Sequence, residues 1–242
     1  SNLVIPEVKI GEKIIEHGGL RITTTLDMNL QRIAEQVVPE GIDNYAAQYG
    51  ASNAALTAVD PRTGQILAMQ GSKDYFDMDN DGNVNVAIRD RQPGSSFKPF
   101  AYAAAFIKGY NEKTMLFDLR TDFGAGYQPE NYDRSYRGPV SMKDALASSL
   151  NIPAVKTLYL AGVNETIDLA HKMGITTLNE PDRYGLSLVL GGGEVKLLDE
   201  VGAYGVFAND GVKKEKTAIL KVEQNGEILE EYSSAADRKS VV

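Results

Sequence analysis

A serine and a lysine three residues apart, Ser95 and Lys98 in the run Pro93-Gly94-Ser95-Ser96-Phe97-Lys98-Pro99, are the strongest chemical signal in the sequence. In the first turn of a helix, residues at that spacing share a face and reach one another. The helix N-terminus adds oriented N–H groups and positive potential, which favour negative charge developing near Ser95. A serine hydroxyl becomes a useful nucleophile only when a base takes its proton. A lysine amine can be that base if burial and neighbours lower its pKa. An N-cap serine followed by a solvated lysine would spell the same pattern, so Ser-x-x-Lys alone is weak evidence, and Gly94, Phe97 and Pro99 strengthen it only modestly.

A second pair follows in Ser149-Leu150-Asn151, where one helical pattern ends and Pro153 opens the next. A hydroxyl and an amide projecting from an inter-helix bend can enter a cleft together. Ser149 would relay a proton to a leaving amine, and Asn151 would hold Lys98 and a substrate carbonyl. The same two residues could equally satisfy helix ends and nothing more.

The elements that must position these groups are readable in outline. Residues 1–19 read as a linker, Arg21 to Thr25 as a strand, and Asp27 as the cap of a helix with Leu30, Ile33, Ala34, Val37 and Val38 on one face. Ala54 to Asp60 and Gln65 to Gly71 form a hairpin across Pro61-Arg62-Thr63-Gly64. A helix runs from Ser95 to Gly109, with Pro99 in its first turn. Residues 119–138 are a long Gly-, Tyr- and Asp-rich loop. Ser141 and Asp144 make a capping box for a helix to Leu150, Pro153 is the first residue of a helix closed by Gly162, and Asn164 caps one closed by Gly174. Leu190-Gly191-Gly192-Gly193 is a flexible turn into a helix over Leu197 to Ala208. Asn225-Gly226 joins Ala218–Glu223 to Glu227–Tyr232 as a second hairpin, and the tail after Ser233 is expected to fray.

Composition narrows the chemistry. The 242 residues are 43% hydrophobic and 24% charged, with a net charge of -8, so a nucleic-acid partner is not expected. There is no cysteine, which removes disulfides and thiolate catalysis. With only His17 and His171, a His-rich metal centre is excluded, and His171 reads as a helix-boundary residue rather than part of a triad. Residues 77–85 resemble the opening of an EF-hand calcium loop, but position 12 is Ile88 where a bidentate Glu belongs, so an exposed acidic turn is the better reading. No metal and no cofactor is expected. No run of 18 apolar residues occurs, and Ser1-Asn2 resembles a tag remnant, so the chain reads as a soluble piece.

Taken together and in this order, the two pairs match the serine acyltransferase pattern. The resemblance is to the transpeptidase domain of class A (bifunctional) penicillin-binding proteins. It is carried by Thr23-Thr24-Thr25-Leu26-Asp27, Val59-Asp60-Pro61, Arg91-Gln92-Pro93-Gly94-Ser95, Asn131-Tyr132-Asp133, Ser149-Leu150-Asn151-Ile152-Pro153 and Ala208-Asn209 with Gly211. It covers about residues 20 to 232. It implies an α/β fold like that of β-lactamases and penicillin-binding proteins, an antiparallel sheet packed by helices, with a mainly helical lobe over residues 95–210 and the site between the two. It implies a D,D-transpeptidase in which Ser95 is the nucleophile, Lys98 the general base, Ser149 a proton relay and Asn151 a positioning amide. Peptidoglycan stem peptides would be substrates and β-lactam antibiotics inhibitors. The family also implies a membrane anchor and a glycosyltransferase domain upstream, on the extracytoplasmic side.

The third family motif, Lys-Thr/Ser-Gly, is not present: Lys113-Thr114, Lys156-Thr157 and Lys216-Thr217 are followed by other residues. The expected division is therefore residues 1–50 as linker with an N-terminal strand and helix, and 51–242 as a transpeptidase domain truncated before that motif, its sheet incomplete. Such a piece is expected to fold and catalyse poorly by itself. Two rival readings are a serine β-lactamase, for which Glu130 would be the candidate deacylating acid, and a non-catalytic peptidoglycan-binding or β-lactam-sensing module.

Overall fold

The computed structural model describes residues 18–232 and 239–241. Most of the expected linker, together with His17, lies outside these residues. The chain forms two compact units, one from residues up to Arg89 and from Leu197 onward, the other from Asp90–Lys196.

The first unit opens with strand β1 (Leu20–Thr24) and helix α1 (Met28–Tyr49). Asp27 caps α1 as expected, accepting from Asn29 N at 2.8 Å and Leu30 N at 3.3 Å, and left-handed Gly50 ends it. Its buried face is Gln31, Ala34, Val38 and Ile42, with Gln31 Oε1 accepting from Met69 N at 2.9 Å. Leu30, Ile33 and Val37, expected to share that face, are exposed. The apolar residues outnumber those one stripe can bury, so the pattern named the helix but misplaced its inner side. β2 (Leu56–Val59) and β3 (Ile66–Gln70) then pair antiparallel as the expected hairpin. In the acidic turn, Asp77 accepts from Asn80 N and Asn80 Nδ2, and no group of three candidate metal ligands occurs among the described residues.

The second unit holds most of the helices. A short β4 (Asp90–Arg91) leads through a 3-10 turn (Gly94–Phe97) into α2 (Lys98–Ile107). The expected helix therefore begins as a 3-10 turn, and its α-helical part starts only at Lys98. β5 (Met115–Asp118) and β6 (Gly138–Ser141) pair antiparallel, flanking the long loop; neither strand stood out in the sequence. Ser141 closes the capping box on α3 (Met142–Ala147), accepting from Asp144 N at 3.1 Å and donating to Asp144 Oδ2 at 2.7 Å. α4 (Asn151–Ala161), α5 (Val163–Met173), the single turn α6 (Pro181–Tyr184), a 3-10 segment (Gly185–Leu190) and β7 (Val195–Lys196) follow, with β7 paired to β4. α2 buries Lys98, Phe100, Ala101, Tyr102, Ala104 and Ala105, almost its whole circumference. It is the central helix of this unit, and its alanines let α4 pack closely. Fully burying Phe97 and Phe100 is worth about 2–3 kcal/mol each.

Two helix starts differ from the sequence reading. α4 begins at Asn151, so Pro153 is its third residue; α5 begins at Val163 straight after Gly162, so Asn164 lies inside it rather than capping it. His171 sits in the last turn of α5, half-buried, its Nε2 2.6 Å from Thr177 O, as a boundary histidine would.

The chain returns to the first unit with α7 (Leu197–Ala208), β8 (Val212–Lys213), β9 (Ile219–Gln224), β10 (Glu227–Glu231) and β11 (Lys239–Ser240). The helical lobe expected over 95–210 thus stops at Lys196, because α7 packs on β2 rather than on the other helices. β9 lies between β1 and β10, antiparallel to both. Asn225 and Gly226 both take positive φ, the two-residue turn their types announced. Residues 239–240 pair with β8 rather than fraying, and 233–238 lie outside the described residues.

Candidate active site

The turn bearing Ser95 is shaped from two sides. Gly94 takes φ +63, which few other residues adopt cheaply, and lets the chain swing from β4 into the 3-10 turn. Phe97, fully buried with its ring 5.1 Å from that of Phe100, anchors the far end of the turn. Ser95 is left exposed at the head of α2, and Lys98 N–H donates to Ser95 O. From the other side Gly191, at φ +88, lies against the Gly94 backbone so closely that a Cβ on it would collide with Gly94. The Leu190–Gly193 run, expected to be a flexible turn, is therefore a close-packed brace. Its consecutive glycines were the available signal.

Lys98 is 1% exposed. Its Nζ donates to Ser149 O at 2.7 Å, Asn151 Oδ1 at 2.8 Å and Ser149 Oγ at 3.1 Å. All three acceptors are neutral, and burial pushes the amine down to about 8 from its usual value above 10. The structure thus brings Lys98, Ser149 and Asn151 into one hydrogen-bonded cluster and sets Ser95 three residues before Lys98, in the 3-10 turn that leads into α2. The solvated-lysine alternative does not hold.

Ser149 reaches this cluster through an unusual backbone. Ser149 N donates to Leu146 O and Leu150 N to Ala145 O, both at 3.0 Å, the two bonds of a Schellman ending to α3. The left-handed residue of that motif is usually glycine. Here it is Ser149, at φ +51, which costs about 1 kcal/mol or more. The strained position turns its carbonyl and hydroxyl toward Lys98.

Asn151 is the first residue of α4, and its cap residue Leu150 has no side chain able to serve the helix. That service comes from Asn131, 3% exposed, whose Oδ1 accepts from Asn151 N at 2.9 Å and Ile152 N at 3.4 Å. Glu130 O accepts a hydrogen bond from Asn151 Nδ2 at 2.8 Å, which leaves Asn151 Oδ1 facing Lys98. Asn131 itself is gripped by Asp118, which is fully buried. In the sequence, Asn131 stands out only within the family resemblance, and Asp118 carries no local signal at all. A buried Asn within a polar loop leaves no local signature.

The three Lys-Thr pairs lie elsewhere in the structure. Lys113 N donates to Asn111 Oδ1, Lys156 Nζ on α4 donates to Phe117 O, and Lys216 Nζ pairs with Asp199 Oδ1 at 2.8 Å.

An exposed hydroxyl one turn ahead of a buried, partly neutral amine suits attack on a carbonyl carbon. Residues 54–240 match the family model described as the penicillin binding protein transpeptidase domain. Penicillin-binding protein 2D of Bacillus subtilis is 36% identical over 246 residues, covering 98% of this chain and 34% of the relative. Penicillin-binding protein 1C of Escherichia coli is 34% identical over 212 residues, covering 87% and 26%. The chain spans about a third or less of the length of the curated relatives it matches. The structure of PonA1 from Mycobacterium tuberculosis in complex with penicillin V superposes with a TM-score of 0.79 at 26% identity, covering 96% of this chain and 62% of that one. A second structure of PonA1 from the same organism gives a TM-score of 0.81 at 24% identity, with 97% of this chain and 62% of that one covered.

Proposed function

Because the chain belongs to the penicillin-binding protein transpeptidase family, we propose that it carries the acyl-transfer site of a peptidoglycan D,D-transpeptidase, with Ser95 as nucleophile and Lys98 as general base. Neutral Lys98 Nζ takes the Ser95 Oγ proton as that oxygen attacks the carbonyl between the two terminal D-alanines of a stem peptide. The tetrahedral intermediate collapses with cleavage of the C–N bond. A proton passes through Ser149 to the leaving nitrogen, and D-alanine departs from an ester on Ser95. An amine from a neighbouring stem then attacks the ester, gives up a proton by the reverse relay and releases Ser95 Oγ, leaving the cross-link. Water in place of that amine would give a D,D-carboxypeptidase side reaction. A β-lactam presents a cyclic amide to Ser95, and ring opening leaves the acyl group in place.

The observation that carries this reading is Lys98 Nζ, buried and held by three neutral acceptors, one turn from exposed Ser95. Asn151 positions that amine through Oδ1, and its second Nδ2 hydrogen can meet a substrate carbonyl. In the intact protein we place this site on the extracytoplasmic side, with a membrane anchor and a glycosyltransferase domain upstream. Among the described residues no helix is long and apolar enough to cross a membrane.

The test is incubation of the intact protein with a stem pentapeptide ending in D-Ala-D-Ala and an amine acceptor. One D-alanine released per cross-linked product is expected, and no release would refute the reading. A chromogenic cephalosporin added in parallel should give one stoichiometric burst, whereas continuous turnover would make the enzyme a β-lactamase.

A further inference from the structure

The hydrogen bonds behind Asn151 run in one direction and end on a buried carboxylate. Asn131 Nδ2 donates to Asp118 Oδ1 at 2.8 Å, Asp118 Oδ2 at 2.9 Å and Ser135 O at 2.9 Å. Its Oδ1 receives the N–H groups of Asn151 and Ile152. Acceptors face one end of the amide and donors the other, so Asn131 cannot flip. Asp118 is held in turn by Arg137 N at 3.0 Å, and it lies at the end of β5, whose pairing with β6 runs through Gly138. The nearby cations that feel its charge are Arg137 and Lys156.

Helix α4 therefore starts where Asn131 tells it to. Its first two N–H groups would otherwise be orphans, and its first residue carries the amide that holds Lys98. We infer that Asp118 and Asn131 are a positioning pair for the proposed acyl-transfer site, fixing the start of α4 and, through Asn151, the place of the Lys98 amine. Neither touches substrate. Asp118 acts through Asn131, and Asn131 through Asn151. The carboxylate stays one amide removed from Lys98, so it can order the site without pairing directly with the amine.

This inference rests on the functional reading above, and its test separates the two by following Lys98 independently of any reaction. Intact protein with labelled lysine is titrated by NMR, and the acylation rate with a fluorescent penicillin is measured in parallel. Asn131→Ala removes the external cap, freeing Asn151 and admitting water to Lys98. The Lys98 midpoint is then expected to rise by about one pH unit or more, and acylation at neutral pH to slow about tenfold. Asp118→Asn keeps the shape but sets an amide N–H against Asn131 Nδ2, so a smaller shift in the same direction is expected even if Asn131→Ala folds poorly. A Lys98 midpoint unchanged in Asp118→Asn and in folded Asn131→Ala would overturn the inference, whatever happens to melting temperature. Wild-type protein that titrates as expected but is never acylated would refute the functional reading and leave the positioning result standing.

Discussion

Raising the pH from 7 to 9 should reveal Lys98 directly in the rate at which the protein is acylated. Burial sets the amine near 8, so about 10% of it is neutral at pH 7, half at pH 8 and about 90% at pH 9. If neutral Lys98 is the base, the second-order rate constant for acylation rises about fivefold from pH 7 to 8, less than twofold from 8 to 9, and then levels. The assay is stopped-flow mixing with a fluorescent penicillin, with rates corrected for hydrolysis of the antibiotic. An ordinary solvated lysine would instead give close to a tenfold rise per unit up to pH 10. Either that steep profile or a flat one would refute the assignment. A stability effect accompanies it. Because the folded state lowers the pKa of Lys98, the unfolded chain holds more protons between about pH 8 and 10.5. Burying Lys98 thus costs about 3 kcal/mol below pH 8, and that cost fades as pH rises through the window.

Three substitutions probe the supports of the site. Ser149→Gly relieves the left-handed strain, so melting temperature should hold or rise by a few degrees while acylation slows about tenfold or more, with calorimetry and penicillin labelling as readouts. Gly191→Ala drives a Cβ into the Gly94 backbone at φ +88 and should lower the melting temperature by several degrees and slow acylation of Ser95. Lys98→Arg keeps the positive charge but cannot surrender a proton below about pH 12, so labelling should be lost across the pH range where wild type is active.

Features set by neighbours in sequence were the legible ones. Asn225-Gly226 specified its own turn, Asp27 its own cap, and Ser141 with Asp144 its capping box. Ser95 with Lys98, and Ser149 with Asn151, were each readable as local pairs, and the family resemblance joined them. What could not be read were contacts between distant residues. Pro153, a residue favoured in a helix's first turn, points to a start there; Leu150 supplies no cap, and the start at Asn151 is set by Asn131 from a loop twenty residues earlier. Gly191 looked flexible because its constraint is the backbone of Gly94 in another part of the unit. The inner face of α1 was misplaced because apolar residues surround more of that helix than it buries. The division of the helices between two units likewise follows from packing between residues distant in the sequence.

In the proposed reaction Ser95 becomes the acyl carrier. Treating the intact protein with benzylpenicillin and mapping the adduct by peptide mass spectrometry tests it most directly. One penicilloyl group per chain is expected, on Ser95, and none in Ser95→Ala. An adduct on another residue, or equal labelling of Ser95→Ala, would contradict it.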